Sequence, residues 1–290
     1  MKPLLSMTAM TLLASLSASA YAGNSPINIV AGENFYGDLA QQLGGPHVKV
    51  TSILNNPEQD PHLFEASTST AKALSSAALV VYNGIDYDPW MVKLLKAAKA
   101  KQRTTIIAGE LLHKKSGDNP HLWYDPATMP VLANAISSAL QSADPANKLD
   151  YQKRLQQVQA TLLPIKHKIE QMRSKYAGIP VTATEPVFGY MAAALGLKMH
   201  NEKFQLAVMN DTEPSASDIV TFENDLKQHR VNVLFYNSQA SNQSAKRVQK
   251  LAHQAKVPIV GVTETEPAGQ PYQGWMLSEL DSLEHALSHK

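Results

Sequence analysis

Apolar positions along this chain follow two rhythms that alternate. Short, nearly continuous runs such as PINIVAG (26–32), HVKVTSIL (47–54), ALVVYNG (78–84) and TTIIAG (104–109) predict β-strands. Between them, NFYGDLAQQLGG (34–45), STSTAKALSSA (67–77) and MVKLLKAAKA (91–100) predict helices, the first closed by glycine. Strand–helix alternation of this kind predicts parallel sheets covered by helices, an α/β fold.

The rhythm breaks once. From Pro145 to Tyr176 the chain is polar, strongly helical in character and without a strand. Asp144-Pro145 is a start signal and Ala177-Gly178-Ile179-Pro180 a stop. Pro164 inside this stretch predicts a kink. Such a helix would be about 45 Å long, enough to run the length of a two-lobed protein. The alternation then resumes with VTAT, VFGYMAAALGL, ASDIVTFENDLKQHR, VNVLFYN, SAKRVQKLAHQAK, VPIVGVT and YQGWMLSELDSLEHAL. The expected architecture is two lobes, each a mostly parallel sheet flanked by helices, joined by one long linking helix. The lobes fall at residues 23–143 and 178–290, with the linking helix at 144–177.

Residues 1–22 stand outside this pattern. A basic start at Lys2, an apolar core around Leu12–Leu16 and an Ala20-Tyr21-Ala22 cleavage pattern predict a secretory signal peptide. No later run reaches the ~20 apolar residues of a membrane span. The sequence has no cysteine, so no disulfide framework, thiolate metal site or cysteine nucleophile is expected, nor a lipid anchor. The formal net charge of +1, with no basic stripe, makes nucleic acid and anionic membranes poor partners. A soluble monomer in the periplasm is the expectation.

The candidate chemistry lies in loops. QDPHLFEA (59–66) and DNPHLWYDP (118–126) each set Pro-His-Leu and an aromatic residue behind an acid or amide, placing His62 and His121 in matching contexts. In the second half, Glu185 ends an apolar strand just before a helical pattern, and Glu264 and Glu266 follow another strand. A carboxylate beyond the carboxyl end of a parallel strand is in the usual ligand position of an α/β sheet.

With these motifs in order around a lone long helix, the mature chain resembles the metal receptors of ABC importers for manganese, zinc and iron, the cluster A-I solute-binding proteins. Asp60-Pro61-His62-Leu63-Phe64-Glu65 matches one family motif and Pro120-His121-Leu122-Trp123-Tyr124-Asp125-Pro126 the other. The resemblance implies metal ligation by His62, His121, Glu185 and a late acidic residue, best matched by Glu264, with Glu266 close behind. The family usually has aspartate at that last place. Many zinc receptors also carry a His-rich acidic insertion between the two motifs, whereas His113 is the only histidine in residues 63–120 here. Asp60, Glu65 and Asp125 are candidates to hold the histidine rings.

Two imidazoles and two carboxylates suit Mn²⁺, Fe²⁺ or Zn²⁺, with carboxylate content favouring Mn²⁺ and raw affinity favouring Zn²⁺. The implied partner is an ABC permease of the inner membrane. The rival reading is an exported metal-dependent hydrolase, but His-Glu-x-x-His, Gly-x-Ser-x-Gly and phosphate-loop motifs are absent from the sequence. A surface adhesin is a third class, poorly served by an unanchored chain.

Overall fold

The computed structural model describes residues 25–56, 64–100, 102–239 and 243–288. His62 and Asp60 lie outside the described residues. The first half runs β1 (Ile27–Glu33), α1 (Asn34–Gly44), β2 (Val48–Leu54), α2 (Thr68–Ser75), β3 (Leu79–Tyr82), α3 (Pro89–Ala97), β4 (Thr104–Ile107), α4 (Ala108–Leu111) and α5 (Thr128–Ala143). A short turn at Pro145–Asn147 leads into α6 (Lys148–Tyr176). The second half runs β5 (Pro180–Ala183), α7 (Gly189–Ala194), β6 (Lys198–His200), α8 (Glu202–Met209), α9 (Ala216–Lys227), β7 (Leu234–Asn237), α10 (Gln243–Gln254), β8 (Ile259–Val262) and α11 (Tyr272–Ser288).

Each half contains one four-stranded parallel sheet, in the orders β2-β1-β3-β4 and β6-β5-β7-β8. The two orders correspond: the first strand of each half sits second in its sheet, between the next two strands of the chain. The chain therefore reverses its direction of travel across the sheet there, opening a crevice at the carboxyl ends of the strands. Continuous burial explains why the strands read as unbroken apolar runs; all four residues of β3 are buried.

The 29-residue α6 runs through Pro164 without a break in its helical assignment. At about 1.5 Å per residue it is roughly 43 Å long. Its buried positions Val158, Leu162, Ile165, Ile169 and Met172 recur at intervals of three and four, so only one stripe faces the core and the rest stays polar.

The lobes do not keep separate interiors. One apolar cluster contains Phe35, Leu39 and Trp123 from the first half together with Phe188, Phe235 and Trp275 from the second. At the seam, Tyr124 stands edge-on to Phe188 at 5.2 Å and to Trp275 at 5.7 Å between ring centroids. Among the described residues, no helix is long and apolar enough to cross a membrane.

Candidate metal centre

His121 sits in the loop between α4 and α5, and three contacts fix it. The Asn83 amide, just past β3, donates to the Pro120 carbonyl at 2.9 Å. The His121 backbone N–H donates to Asn119 Oδ1 at 3.1 Å. Leu122, Trp123 and Tyr124 are fully buried and anchor the segment that follows. Asn119 Oδ1 also lies 2.7 Å from His121 Nδ1. Because that oxygen only accepts, Nδ1 carries a proton and donates, and Nε2 is the ring atom turned towards Glu264.

That nitrogen is buried. His121 has no exposed surface, and its Nε2 makes no hydrogen bond to the described residues. It stands 3.4 Å from Oε2 of Glu264, which is also fully buried. Two donors about 2.1 Å from one ion and 3.4 Å from each other subtend roughly 108°, close to the tetrahedral angle. The pair therefore fits a divalent cation.

Glu264 follows β8, where Gln239 and Asn237 hold it. Its backbone N–H donates to Gln239 Oε1 at 2.5 Å, and Gln239 Nε2 donates to Thr265 Oγ1 at 2.8 Å. Asn237 ends β7 and donates from its amide to Glu264 Oε1 at 2.6 Å and to Glu185 Oε1 at 3.4 Å. Glu185, 5% exposed, lies just past β5 in extended backbone before the turn at Pro186–Phe188. Three adjacent strands of the second sheet thus deliver Glu185, Asn237 and Glu264 to one point. Asn119 ties this half to the His121 loop: its amide donates to the Pro186 carbonyl at 2.7 Å, and Tyr190 Oη donates to its carbonyl at 2.8 Å.

The structure thus brings His121 and Glu264 into direct contact, and Asn237 bridges Glu264 to Glu185. Glu266 points elsewhere: its carboxyl is pushed up to about 9 by burial and by Asp38. Asp125 does not hold His121; its Oδ1 accepts from the Ala127 N–H at 3.0 Å and shapes the entry to α5. Glu65 is exposed. The ring-orienting role expected of an acid falls to Asn119, which stands two residues before the histidine. Among the described residues no group of three or more His, Cys, Asp or Glu side chains gathers into a metal cluster.

Tyr87 closes the first-half side of the crevice, its ring 6.1 Å from His121 and 5.0 Å from Trp123. Burial, with the charge of Glu264 next, pushes its phenol well above the usual range. Three consecutive left-handed residues, Gly84, Ile85 and Asp86 (φ 75°, 45° and 68°), turn the chain to present it. For a β-branched residue such as Ile85 that conformation is strained. Beneath lies a buried carboxyl pair, Glu33 and Asp88. Burial and then its neighbour Asp88 raise Glu33 well above the ordinary carboxylate range, and burial raises Asp88 as well.

The family model described as zinc-uptake complex component A, periplasmic, matches residues 29–286. The chain belongs to this family. Among its relatives in the zinc-uptake component family and beyond, the metal ABC transporter substrate-binding lipoprotein ScbA of Streptococcus cristatus is 26% identical, the match covering 98% of this chain and 96% of the relative. The manganese ABC transporter substrate-binding lipoprotein PsaA of Streptococcus anginosus is 25% identical over the same shares of the two chains. The fold is shared with the periplasmic zinc-binding protein TroA of Treponema pallidum: TM-score 0.76 at 19% identity, covering 91% of this chain and 99% of TroA.

Proposed function

We propose that this protein is the periplasmic receptor of an ABC importer, capturing a divalent transition-metal ion between its lobes and delivering it to the permease. The observation that carries the reading is the buried pair of His121 Nε2 and Glu264 Oε2, 3.4 Å apart. An imidazole nitrogen and a carboxylate oxygen buried side by side are donor types that suit a divalent transition-metal ion. Glu185 is the third ligand in this reading. His62, outside the described residues, is the fourth, carried by its match to the family motif. The whole-length match to relatives named as metal ABC transporter substrate-binding proteins supports the same conclusion.

Mn²⁺ is favoured by the two carboxylates and Zn²⁺ by its higher affinity for most nitrogen and oxygen sites, with Fe²⁺ between them. The relatives are named lipoproteins, whereas this sequence has no cysteine. Catalysis is not part of the reading, because the relatives are named as substrate-binding proteins of ABC transporters.

The test is to strip the mature protein with chelator, equilibrate it with equal buffered free Mn²⁺ and Zn²⁺ at about pH 7.5, where free histidine is neutral, and determine metal per chain by mass spectrometry. About one tightly held ion per chain is expected, and its identity ranks the site's preference. No retained Mn²⁺ or Zn²⁺, and none of Fe²⁺ under anaerobic conditions, would sink the receptor reading.

A further inference from the structure

The segment between β8 and α11, which carries Glu264, is held on the second-lobe side by Gln239 and Asn237 and is also fastened to the first lobe by hydrogen bonds. Tyr87 Oη donates to the Glu264 carbonyl at 3.5 Å, and Asn34 bonds Glu266 two residues further on. The Asn34 Nδ2 donates to the Glu266 carbonyl at 2.7 Å, and its Oδ1 accepts from the Glu266 N–H at 2.9 Å. The side-chain amide thus pairs with both polar groups of a single residue, as a strand would. One turn further along α1, Asp38 Oδ2 accepts from the Tyr272 N–H at 3.2 Å. Another turn on, Gln42 and Gln273 exchange bonds at 3.1 and 2.9 Å. Asn34, Asp38 and Gln42 are spaced four apart, so they form one polar stripe on α1 aimed across the lobe boundary.

The members of this stripe do different work. Asn34 grips a residue two positions from Glu264, in the short segment held at its other end by Tyr124 Oη on the Thr263 carbonyl at 2.9 Å. Gln42 crosses the same boundary about 12 Å further along the helix, where it meets α11 beyond that segment. Asn34 does nothing for its own helix: the residue before it, Glu33, is the N-cap, and no side-chain bond caps α1.

We infer that Asn34 is a positioning residue for the bound metal: by pairing with the backbone of Glu266 it holds Glu264, a ligand from the second lobe, in fixed register with His121 of the first. The inference rests on the metal-receptor reading above. It makes His121 and Glu264 one preset half of the site, and the ion meets that pair without waiting for the lobes to close.

The experiment compares wild-type protein with Asn34→Ala and Gln42→Ala. It reads the Zn²⁺ dissociation constant against a competing chelator, the Zn²⁺ release rate, and hydrogen exchange of the metal-free peptide spanning 263–268. Alanine is the better helix former, so α1 itself should persist. Asn34→Ala should weaken Zn²⁺ binding by about 10- to 100-fold, the usual loss when the support of a ligand is removed, mainly through faster release. Exchange at 263–268 should quicken with it, while Gln42→Ala leaves affinity within about twofold, as expected for a site more than 7–10 Å away.

Wild-type affinity in Asn34→Ala overturns the inference. So does an equal loss in Gln42→Ala, which would mean general cohesion between the lobes. Should Asn34→Ala fail to fold, the wild-type exchange decides: a Glu266 amide exchanging at open-chain rate overturns the clamp, and slow exchange supports it. Absence of Zn²⁺ binding in the wild-type protein would remove the receptor reading and this inference with it, an outcome distinct from normal wild-type binding with an unaffected variant.

Discussion

The Asn237 amide stands between two buried carboxyl groups, donating to Glu264 Oε1 at 2.6 Å and to Glu185 Oε1 at 3.4 Å. One neutral side chain thus bridges both proposed second-lobe ligands. Asn237→Ala should destabilise the metal-free protein by about 1–3 kcal/mol, the cost of removing a partner from a buried polar group. Saturating Zn²⁺ should restore part of that loss, because the cation then draws the two carboxylates together. Urea unfolding with and without metal reads both effects; equal losses in the two conditions would contradict the second.

His121→Ala removes the one proposed imidazole ligand among the described residues. A ligand at one hundred times its dissociation constant stabilises a folded protein by about 2.7 kcal/mol, and that increment should appear on adding Zn²⁺ to the wild type. In His121→Ala, tested at the same free Zn²⁺ concentration, it should vanish. Thermal melts suffice to decide, and an undiminished metal-induced shift in the variant would remove His121 from the site.

Glu279 supplies a pH signature on the seam between the lobes. Its Oε1 accepts from Tyr124 Oη at 2.9 Å and from Trp275 Nε1 at 2.7 Å, and burial pushes its carboxyl up to about 8. In the unfolded chain a glutamate titrates near about 4.3. Across that window the folded state holds a proton that the unfolded state has lost. The contribution is therefore fully present below about pH 4.3 and declines by about 1.4 kcal/mol per pH unit as pH rises towards 8, above which it is gone. Glu279→Gln imitates the protonated form without titrating. Subtracting its pH–stability curve from that of the wild type should isolate this slope, and parallel curves would contradict it.

Tyr124→Phe deletes one hydroxyl that bonds both the Thr263 carbonyl and Glu279. A loss of about 1–3 kcal/mol is expected. Combined with Glu279→Gln in a double-mutant cycle, the two changes should be non-additive by about 0.5–3 kcal/mol, since they share a bond. Strict additivity would show that the hydroxyl and the carboxyl act separately.

The strands and the long helix were legible because each has a simple physical signature: continuous burial for β1 and β3, and one apolar stripe in a polar background for α6. Smaller second-lobe elements escaped the periodicity reading. β6 is a three-residue edge strand with no buried residue, and α8 has only eight residues behind a left-handed Asn201. α5 was also passed over, hidden in the Ser/Thr/Ala-rich stretch after the second histidine motif.

At the site, the charged and imidazole residues announced themselves, but Asn34, Asn119, Asn237 and Gln239 did not. An amide acquires its role only from what the fold places beside it, and Asn34 meets Glu266 from 232 residues away. Glu264 and Glu266 were inseparable for a different reason. Two residues apart after a strand, they share the parity that sequence patterns detect, and only the three-dimensional path of the loop turns one towards His121 and the other towards Asp38. Asp125 misled because an acid near a histidine in sequence is a natural partner for it, whereas the backbone of the next helix uses it first.

The span from Asn34 to Glu266 also sets the order in which the molecule is completed. The first sheet lies within residues 27–107, yet Asn34 at the start of its first helix meets its partner 232 residues further along the chain. A polypeptide emerging amino end first, from a ribosome or through a membrane pore, holds that half of the seam open until residue 266 has followed. Such late, long-range closure slows folding. Maturation of the pocket is thereby tied to emergence of the segment around Glu266, and a product truncated before it should present neither the clamp nor a finished ion-holding crevice.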